Sequence, residues 1–298
     1  MQIDRIVVGI DFSSYSEVAR QHAFAIAANT GASVVLLHAF EDSDYQGQSS
    51  WMLRTGSFDQ LLLRSRQLAQ EEVESLTGPF EDAGIQVHAE LSDLGPDKAL
   101  IEAAERHNAD LVVVGTHGHT GLKRLTVARI AQRVVRNSPC SVLVARTSAA
   151  AVPSMARVLV PTDFSDSAND ALSLACSLVA DDGQIDVLHC WLAYFFPTGY
   201  HGLYEEAVAL EPEMAESIRQ EGAELIRQYE GPRRKLGFSE RYVSPVQGIV
   251  EAIEAQAYDM VIMGSHGRHG VKRYLLGSTA EATVRHANCS VLIVRRRP

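Results

Sequence analysis

GTHGHTGLKRLTVARIAQRVVRNSPCSVLVAR (115–146) and GSHGRHGVKRYLLGSTAEATVRHANCSVLIVR (264–295) align without a gap, and 14 of the 32 positions are identical at an offset of 149 residues. The correspondence continues upstream. IVVGIDFSS (6–14) pairs with VLVPTDFSD (158–166), VVLLHAF (34–40) with IDVLHCW (185–191), and ADLVVVG (109–115) with YDMVIMG (258–264). Matches that keep their order along the chain mark a duplication. The period is about half of the 298 residues, far too long for a solenoid unit, so each copy is expected to carry its own core. This predicts two homologous domains, 1–147 and 154–298. They are joined at SAAAVP (148–153), small residues closed by a proline.

Composition narrows the class. Hydrophobic residues make up 46% and charged residues 21% of the chain, enough apolar content for a packed core and too much for a disordered chain. No stretch reaches ~18 apolar residues without a charge, so no membrane span is expected. MQIDRIVVGIDFSS meets Asp4 and Arg5 at once, which does not read as a secretory signal. Thirty-seven acidic against 27 basic residues leave a formal net charge of −10, which argues against nucleic acid as a partner. Four scattered cysteines, Cys140, Cys176, Cys190 and Cys289, form neither a disulfide framework nor a paired metal motif. A reduced, cytoplasmic protein is expected.

Within each copy, short apolar runs alternate with helical periodicity. In the first, strands are predicted at 6–10, 34–38, 86–90, 111–114 and 141–145. Helices are predicted from about 11 to 28 and over 59–77, 96–107 and 125–136. In the second, strands fall at 157–161, 184–189, 240–244, 259–263 and 290–294. Its helices fall at 167–180, 212–230, 246–256 and 278–287. Continuous apolar strands separated by helices predict an α/β fold: two doubly wound domains, each a five-stranded, mainly parallel sheet with helices on both faces. Ligands in such open sheets bind beyond the carboxyl ends of the strands at the switch point, which here means the loops after the first and fourth strands of each copy.

Those loops hold the strongest motif. Gly264 and Gly267 end a buried strand and open a loop where backbone N–H groups can approach a ligand. Nine residues later Gly277-Ser278-Thr279 stands at the start of a helix, whose N-terminus offers unpaired N–H donors and two hydroxyls, the makings of a phosphate cradle. Ser278-x-x-Glu281 fits a capping box as well, so a merely well-capped helix is the competing reading.

With these residues in place, the chain resembles the universal stress protein family in its tandem form, over nearly its whole length. The nucleotide-binding version of that family carries a glycine, two residues, a glycine, nine residues, then glycine and serine or threonine. The second copy matches through Gly264, Gly267, Gly277 and Ser278. The resemblance implies a loop of the Pro161-Thr162-Asp163 kind near the adenosine, with Cys190 and Met263 lining that end. It places His266, Arg268 and Thr279 with the glycines around ribose and phosphates. The implied cofactor is ATP, with or without magnesium.

The first copy departs from this pattern. It keeps Gly115 and Gly118 but has Ala128-Arg129 in place of Gly277-Ser278, and Gly9-Ile10-Asp11 in place of Pro161-Thr162-Asp163. Arg129 at a helix start opposes the helix dipole. One nucleotide per chain is therefore expected, with the first copy as a structural partner, although Arg129 binding phosphate itself is the rival reading. The family's single domains pair, so a pseudo-dimer of the two copies is implied. The last strands, Ser141–Ala145 and Ser290–Val294, are edges that pairing would cover; association of whole chains stays open, and so does a protein partner.

Histidines repeat at His38 and His189, expected to be packing residues, and at His117 and His266, where ligand contact and loop support are both open. None has metal-ligand spacing. Residues 191–204 hold six of the chain's twenty aromatics, including Trp191 and Tyr204. A lid, an apolar pocket, a partner-docking surface and packing on the domain itself are the candidate roles. Three function classes follow. The first is an ATP-binding stress-response or regulatory protein. The second is a slow ATP hydrolase or phosphotransferase, for which Asp163 is the only placed carboxylate and no P-loop lysine occurs. The third is a sensor of a small apolar ligand or metal. No residue is assigned a catalytic or metal-binding role.

Overall fold

A computed structural model describes residues 2–40, 56–116, 124–146, 155–192, 201–231, 234–267 and 276–296. The expected join at 148–153 lies outside them. Two compact units emerge, Gln2–Pro153 and Ser154–Val294.

The first unit contains β1 (Arg5–Ile10), α1 (Ser14–Thr30), β2 (Ser33–Ala39), α2 (Gly56–Ser75), α3 (Gly78–Asp82), β3 (Val87–Ser92), α4 (Pro96–Arg106), β4 (Leu111–Gly115), α5 (Arg124–Asn137) and β5 (Ser141–Ala145). Its strands lie in the order β3-β2-β1-β4-β5, all parallel. The second unit repeats the plan with β6 (Arg157–Thr162), α6 (Asp166–Leu178), β7 (Gly183–Trp191), α7 (His201–Tyr229), β8 (Arg234–Tyr242), α8 (Pro245–Ala255), β9 (Met260–Gly264), α9 (Ser278–His286) and β10 (Ser290–Val294). Its order is β8-β7-β6-β9-β10, again parallel throughout. The doubly wound α/β class read from the sequence is the fold observed.

The physical reason is burial on two faces. Ile6, Val7, Val8, Leu111, Val112 and Val113 are fully buried in the centre of the first sheet, as are Val158, Val160, Val261 and Ile262 in the second. A strand apolar at every position has no solvated face, so helices must cover both. In the first unit, α1 packs on β1 and β4, while α4 packs on β1 and β2 and against α5. Helix α1 starts where the Ser13 side chain accepts the Ser16 N–H, and stops at Gly31, whose φ of 77° is the left-handed cap that favours glycine. It buries Ala19, His22, Ala23 and Ile26, and Phe24 meets the buried Phe80 of α3 edge-on at 5.3 Å between ring centroids.

Three elements depart from the sequence reading. Strand β8 spans Arg234–Tyr242, earlier than the 240–244 expected. It pairs with β7 along nine residues, from Gly183↔Arg234 to Trp191↔Tyr242. As an outer strand its sides alternate between half-buried and exposed, and the charges of RKLGFSERY concealed that alternation. Helix α7 begins at His201 and runs through Pro212. The helix expected from 212 thus starts eleven residues earlier, with the proline in its interior. In the interior it has no N–H to give the carbonyl four residues back. The five-residue α3 was not anticipated.

The order 3-2-1-4-5 puts the switch point between the first and fourth strands of each unit. The loops after β1 and β4, and after β6 and β9, therefore open at the carboxyl edge of the sheets, side by side.

Candidate functional site

In the second unit the loop after β6 is built by three short-range devices. The Phe164 N–H donates to Thr162 Oγ1 at 3.0 Å. The Ser165 N–H donates to Asp163 Oδ1 at 3.1 Å, and the Ser165 hydroxyl accepts from the Ala168 N–H at 3.3 Å, capping α6. Between them Phe164 takes a φ of 60°, a conformation that costs a non-glycine residue of order 1 kcal/mol or more. A neighbour holds it there. His189 Nδ1 lies 2.8 Å from the Thr162 carbonyl, so that nitrogen carries the proton and donates. The His189 ring packs on Phe164 at 4.7 Å. The first unit repeats the arrangement with Phe12 (φ 59°), His38 and the Ile10 carbonyl. Both histidines are thus packing residues that brace the loop after the first strand.

Across the switch point, β9 ends at Met263-Gly264. A Cβ on Gly264 would come within 2.4 Å of Ser167 Oγ and 2.8 Å of the Ser167 backbone, and one on Gly267 within 2.5 Å of Asp163 Oδ2. Backbone leaves no room for a side chain at Gly264, and one at Gly267 would have to displace the Asp163 carboxylate. The chain then returns to the strand end, where the Gly277 N–H donates to the Ser265 carbonyl at 2.8 Å. Gly277 is the N-cap of α9, and no side chain caps that helix. The capping-box reading therefore fails geometrically: Ser278 is the first helical residue rather than the cap. The first turn of α9 borders the site, and among the described residues no side chain caps it.

These elements enclose a cavity of about 390 Å³. Pro161, Thr162 and Asp163 form one wall, and Cys190 and Met263 a second. Gly264, His266 and Gly267 form the floor of the loop, with Gly277, Ser278 and Thr279 at the helix start. Of the twelve residues singled out from the sequence, Arg268 lies outside the described residues, and the other eleven all line this cavity. His266 Nδ1 sits 2.8 Å from Ser265 Oγ, which gives this histidine a loop-supporting contact.

Sequence reasoning missed part of the lining: Leu188 from β7, Pro245 and Ile249 from α8, and Ser265. The signal was present, because Pro245 and Ile249 repeat as Pro96 and Leu100 at the same offset of 149, on one face of a helix start. Gly248 was missed too. A Cβ there would lie 2.4 Å from Cys190 Sγ, so the absence of a side chain makes room for the sulfur. The first unit has the complementary pair, Ala99 with Ala39. Burial pushes the Cys190 thiol up to about 11, which keeps it protonated and unreactive at neutral pH.

The corresponding cavity of the first unit measures about 110 Å³ and is lined by Gly9, Asp11, Leu37, Leu100, Ile130 and neighbours. Two changes shrink it. Leu100 reaches over Gly9, to within 3.3 Å of where a Cβ would stand. Helix α5 also starts at Arg124, five residues before Arg129, the counterpart of Ser278. Positions 128–130 are thus interior helix, their N–H groups placed for bonds along the helix rather than for a ligand. Arg129 is exposed.

Of the aromatic stretch 191–204, residues 193–200 lie outside the described residues. Trp191 is buried, donates from Nε1 to Glu240 at 2.7 Å and packs edge-on against Tyr242 at 4.8 Å. At this one residue, packing within its own domain is what the structure shows. Among the described residues no group of three or more His, Cys, Asp or Glu side chains is placed to hold a metal, and no helix is long and apolar enough to cross a membrane.

Fold and site define a class: a tandem of doubly wound α/β domains with a glycine-lined cavity at a switch point. The family model described as "Universal stress protein family" matches residues 2–146 and again 155–295, and the chain belongs to that family, as a tandem of two such domains. Universal stress protein MJ0531 of Methanocaldococcus jannaschii is 34% identical over 145 residues, 48% of this chain and 81% of its own length. A universal stress protein from Archaeoglobus fulgidus shares the fold over 99% of this chain and 97% of its own, with a TM-score of 0.64 at 19% identity. Another solved relative is a universal stress protein in complex with cAMP, 23% identical over 50% of this chain and the whole of its own, with a TM-score of 0.35.

Proposed function

We propose that this protein is an ATP-binding regulatory protein of the stress response, with the nucleotide held by the second domain and the first serving as its intramolecular partner. The observation that carries the reading is the meeting of the two loops and the uncapped start of α9 around one cavity of about 390 Å³, a volume within the usual range for small-molecule sites. The apolar wall of Leu188, Ile249 and Met263 suits a base. The glycine loop and the first turn of α9 supply backbone N–H donors for phosphates. Bound there, ATP would bring the negative charge that this helix start favours. Asp163 is the only carboxylate lining the cavity among the described residues, and so is the ligand offered to a magnesium ion accompanying the phosphates.

Stoichiometry follows from the difference between the units. The first has a cavity about a quarter as large and no helix start at its phosphate end, so one nucleotide is bound per chain. Native mass spectrometry of the full chain with excess ATP and magnesium tests both statements. One added nucleotide mass is expected. Two equivalent additions, or none, would overturn the reading.

A further inference from the structure

The cavity of the first unit is more than a shrunken copy of the second. Two threonines of the second cavity are exchanged for hydrocarbon here: Ile10 stands in place of Thr162 in the loop after the first strand, and Ile130 in place of Thr279 in the helix. Leu37, Leu100 and Val114 add to a mainly apolar lining around about 110 Å³, and His38, whose Nδ1 is engaged by the Ile10 carbonyl, stands beside them. A closed apolar cavity of about 150 Å³ accepts a benzene molecule, so the space here is that of a single ring at most. Among the described residues one charged group remains. Asp11 lines the cavity. Its Oδ1 accepts from the Ser13 N–H at 3.1 Å and from the Ser13 hydroxyl at 2.6 Å, while Oδ2 accepts none of the hydrogen bonds among the described residues. Ser16, also in the lining, is committed elsewhere, its hydroxyl donating to the Ser13 carbonyl at 3.0 Å. An apolar slot with a single carboxylate acceptor selects a flat apolar body bearing one N–H donor.

We propose that the first domain binds a phosphate-free, single-ring aromatic or heteroaromatic amine, its ring among Leu37, Leu100, Val114 and Ile130 and its N–H donated to Asp11. This is a second binding site, of a chemistry different from that of the second domain, and it holds whether or not the latter takes ATP. Arg129 plays no part in it, because a ligand of this size ends short of any phosphate.

The full chain, with its Leu, Ile, Val and Met methyl groups labelled, is titrated with 2-aminopyridine and followed by NMR. Saturable shifts are expected at the methyls of Leu37, Leu100, Val114 and Ile130. No saturable shift, or shifts only at Leu188, Ile249 and Met263 around the second cavity, overturns the proposal. Asp11→Asn keeps an oxygen for Ser13 but removes the charge. It is expected to weaken 2-aminopyridine ~10-fold or more, the worth of a hydrogen bond to a charged group, and to leave the affinity of benzene as it was. Equal weakening of both probes, or of neither, overturns the role given to Asp11. Ala39→Phe, which fills the slot, is expected to abolish the shifts while ATP binding by the same sample stays unchanged. Should that variant not fold, methyl mapping and Asp11→Asn decide the matter alone.

Discussion

Gly267 and Asp163 stand so close across the switch point that a Cβ on the glycine would lie 2.5 Å from the carboxylate Oδ2. The two come from different loops, one after β9 and one after β6. Turning the carboxylate away strains the hydrogen bond that its other oxygen accepts from the Ser165 N–H. Substituting Gly267→Ala is therefore expected to part the loops by several tenths of an ångström and to weaken ATP by ~10-fold or more, with little change in the melting temperature of the chain. Calorimetric titration beside a thermal melt checks it, and undiminished affinity would remove Gly267 from the site.

Gly277 makes a different test, because its φ of −64° suits any residue. A Cβ there would approach the Ser265 carbonyl to 3.2 Å and stand before the first turn of α9. Gly277→Val should leave far-UV circular dichroism intact and abolish measurable ATP binding. The reciprocal experiment restores the motif in the first unit. Since α5 begins at Arg124 rather than at 129, the pair Ala128→Gly and Arg129→Ser is expected to leave the stoichiometry at one nucleotide per chain. A second bound nucleotide would show that side chains, and not the helix start, decide the difference.

Cys190 and Gly248 share one space. Gly248→Ala alone sets a methyl 2.4 Å from the sulfur and 2.8 Å from Val243 Cγ1, an overpacking expected to cost about 1–3 kcal/mol. Adding Cys190→Ala recreates the Ala39–Ala99 pairing of the first unit and should recover a large part of that loss. Denaturant unfolding of the four chains of the cycle measures the coupling, and strict additivity would contradict the packing described.

His22 is buried in α1, and burial lowers its imidazole from 6.5 to about 4. The folded state binds this proton less readily than the unfolded chain, so the neutral ring's contribution is fully present above pH 6.5. It is lost progressively as pH falls from 6.5 towards 4, by up to about 3 kcal/mol. His22→Gln should flatten the stability profile in that window and leave it unchanged between pH 7 and 8. A profile as steep as that of the parent protein would assign the acid sensitivity to other groups.

Much of this architecture was legible because its determinants are local or repeated. Runs such as LVVVG and VLVA are apolar without alternation, which a parallel strand covered on both faces tolerates. The duplication at an offset of 149 then located the same loops twice. The residues of those loops could be named because strand order brings the carboxyl ends of the first and fourth strands together in any sheet of this topology. Pro245, Ile249 and Leu188 were less visible. They reach the cavity from a neighbouring helix and strand, and nothing in the motif around Gly264 points to them. Strand β8 was misplaced because an outer strand carries charges on its open side, and those obscured its period of two.

By itself, then, the sequence determined the tandem α/β plan, the switch points and the asymmetry of the motif between the two copies. Tertiary structure alone decided what that asymmetry means. Whether a helix begins at Ser278 or has already run five residues past its start at Arg129 depends on how the preceding loop returns to the sheet. A cavity's volume depends on side chains, such as Leu100 over Gly9, that lie far apart in the chain. Those are distances in space, and a linear pattern of residue types does not contain them.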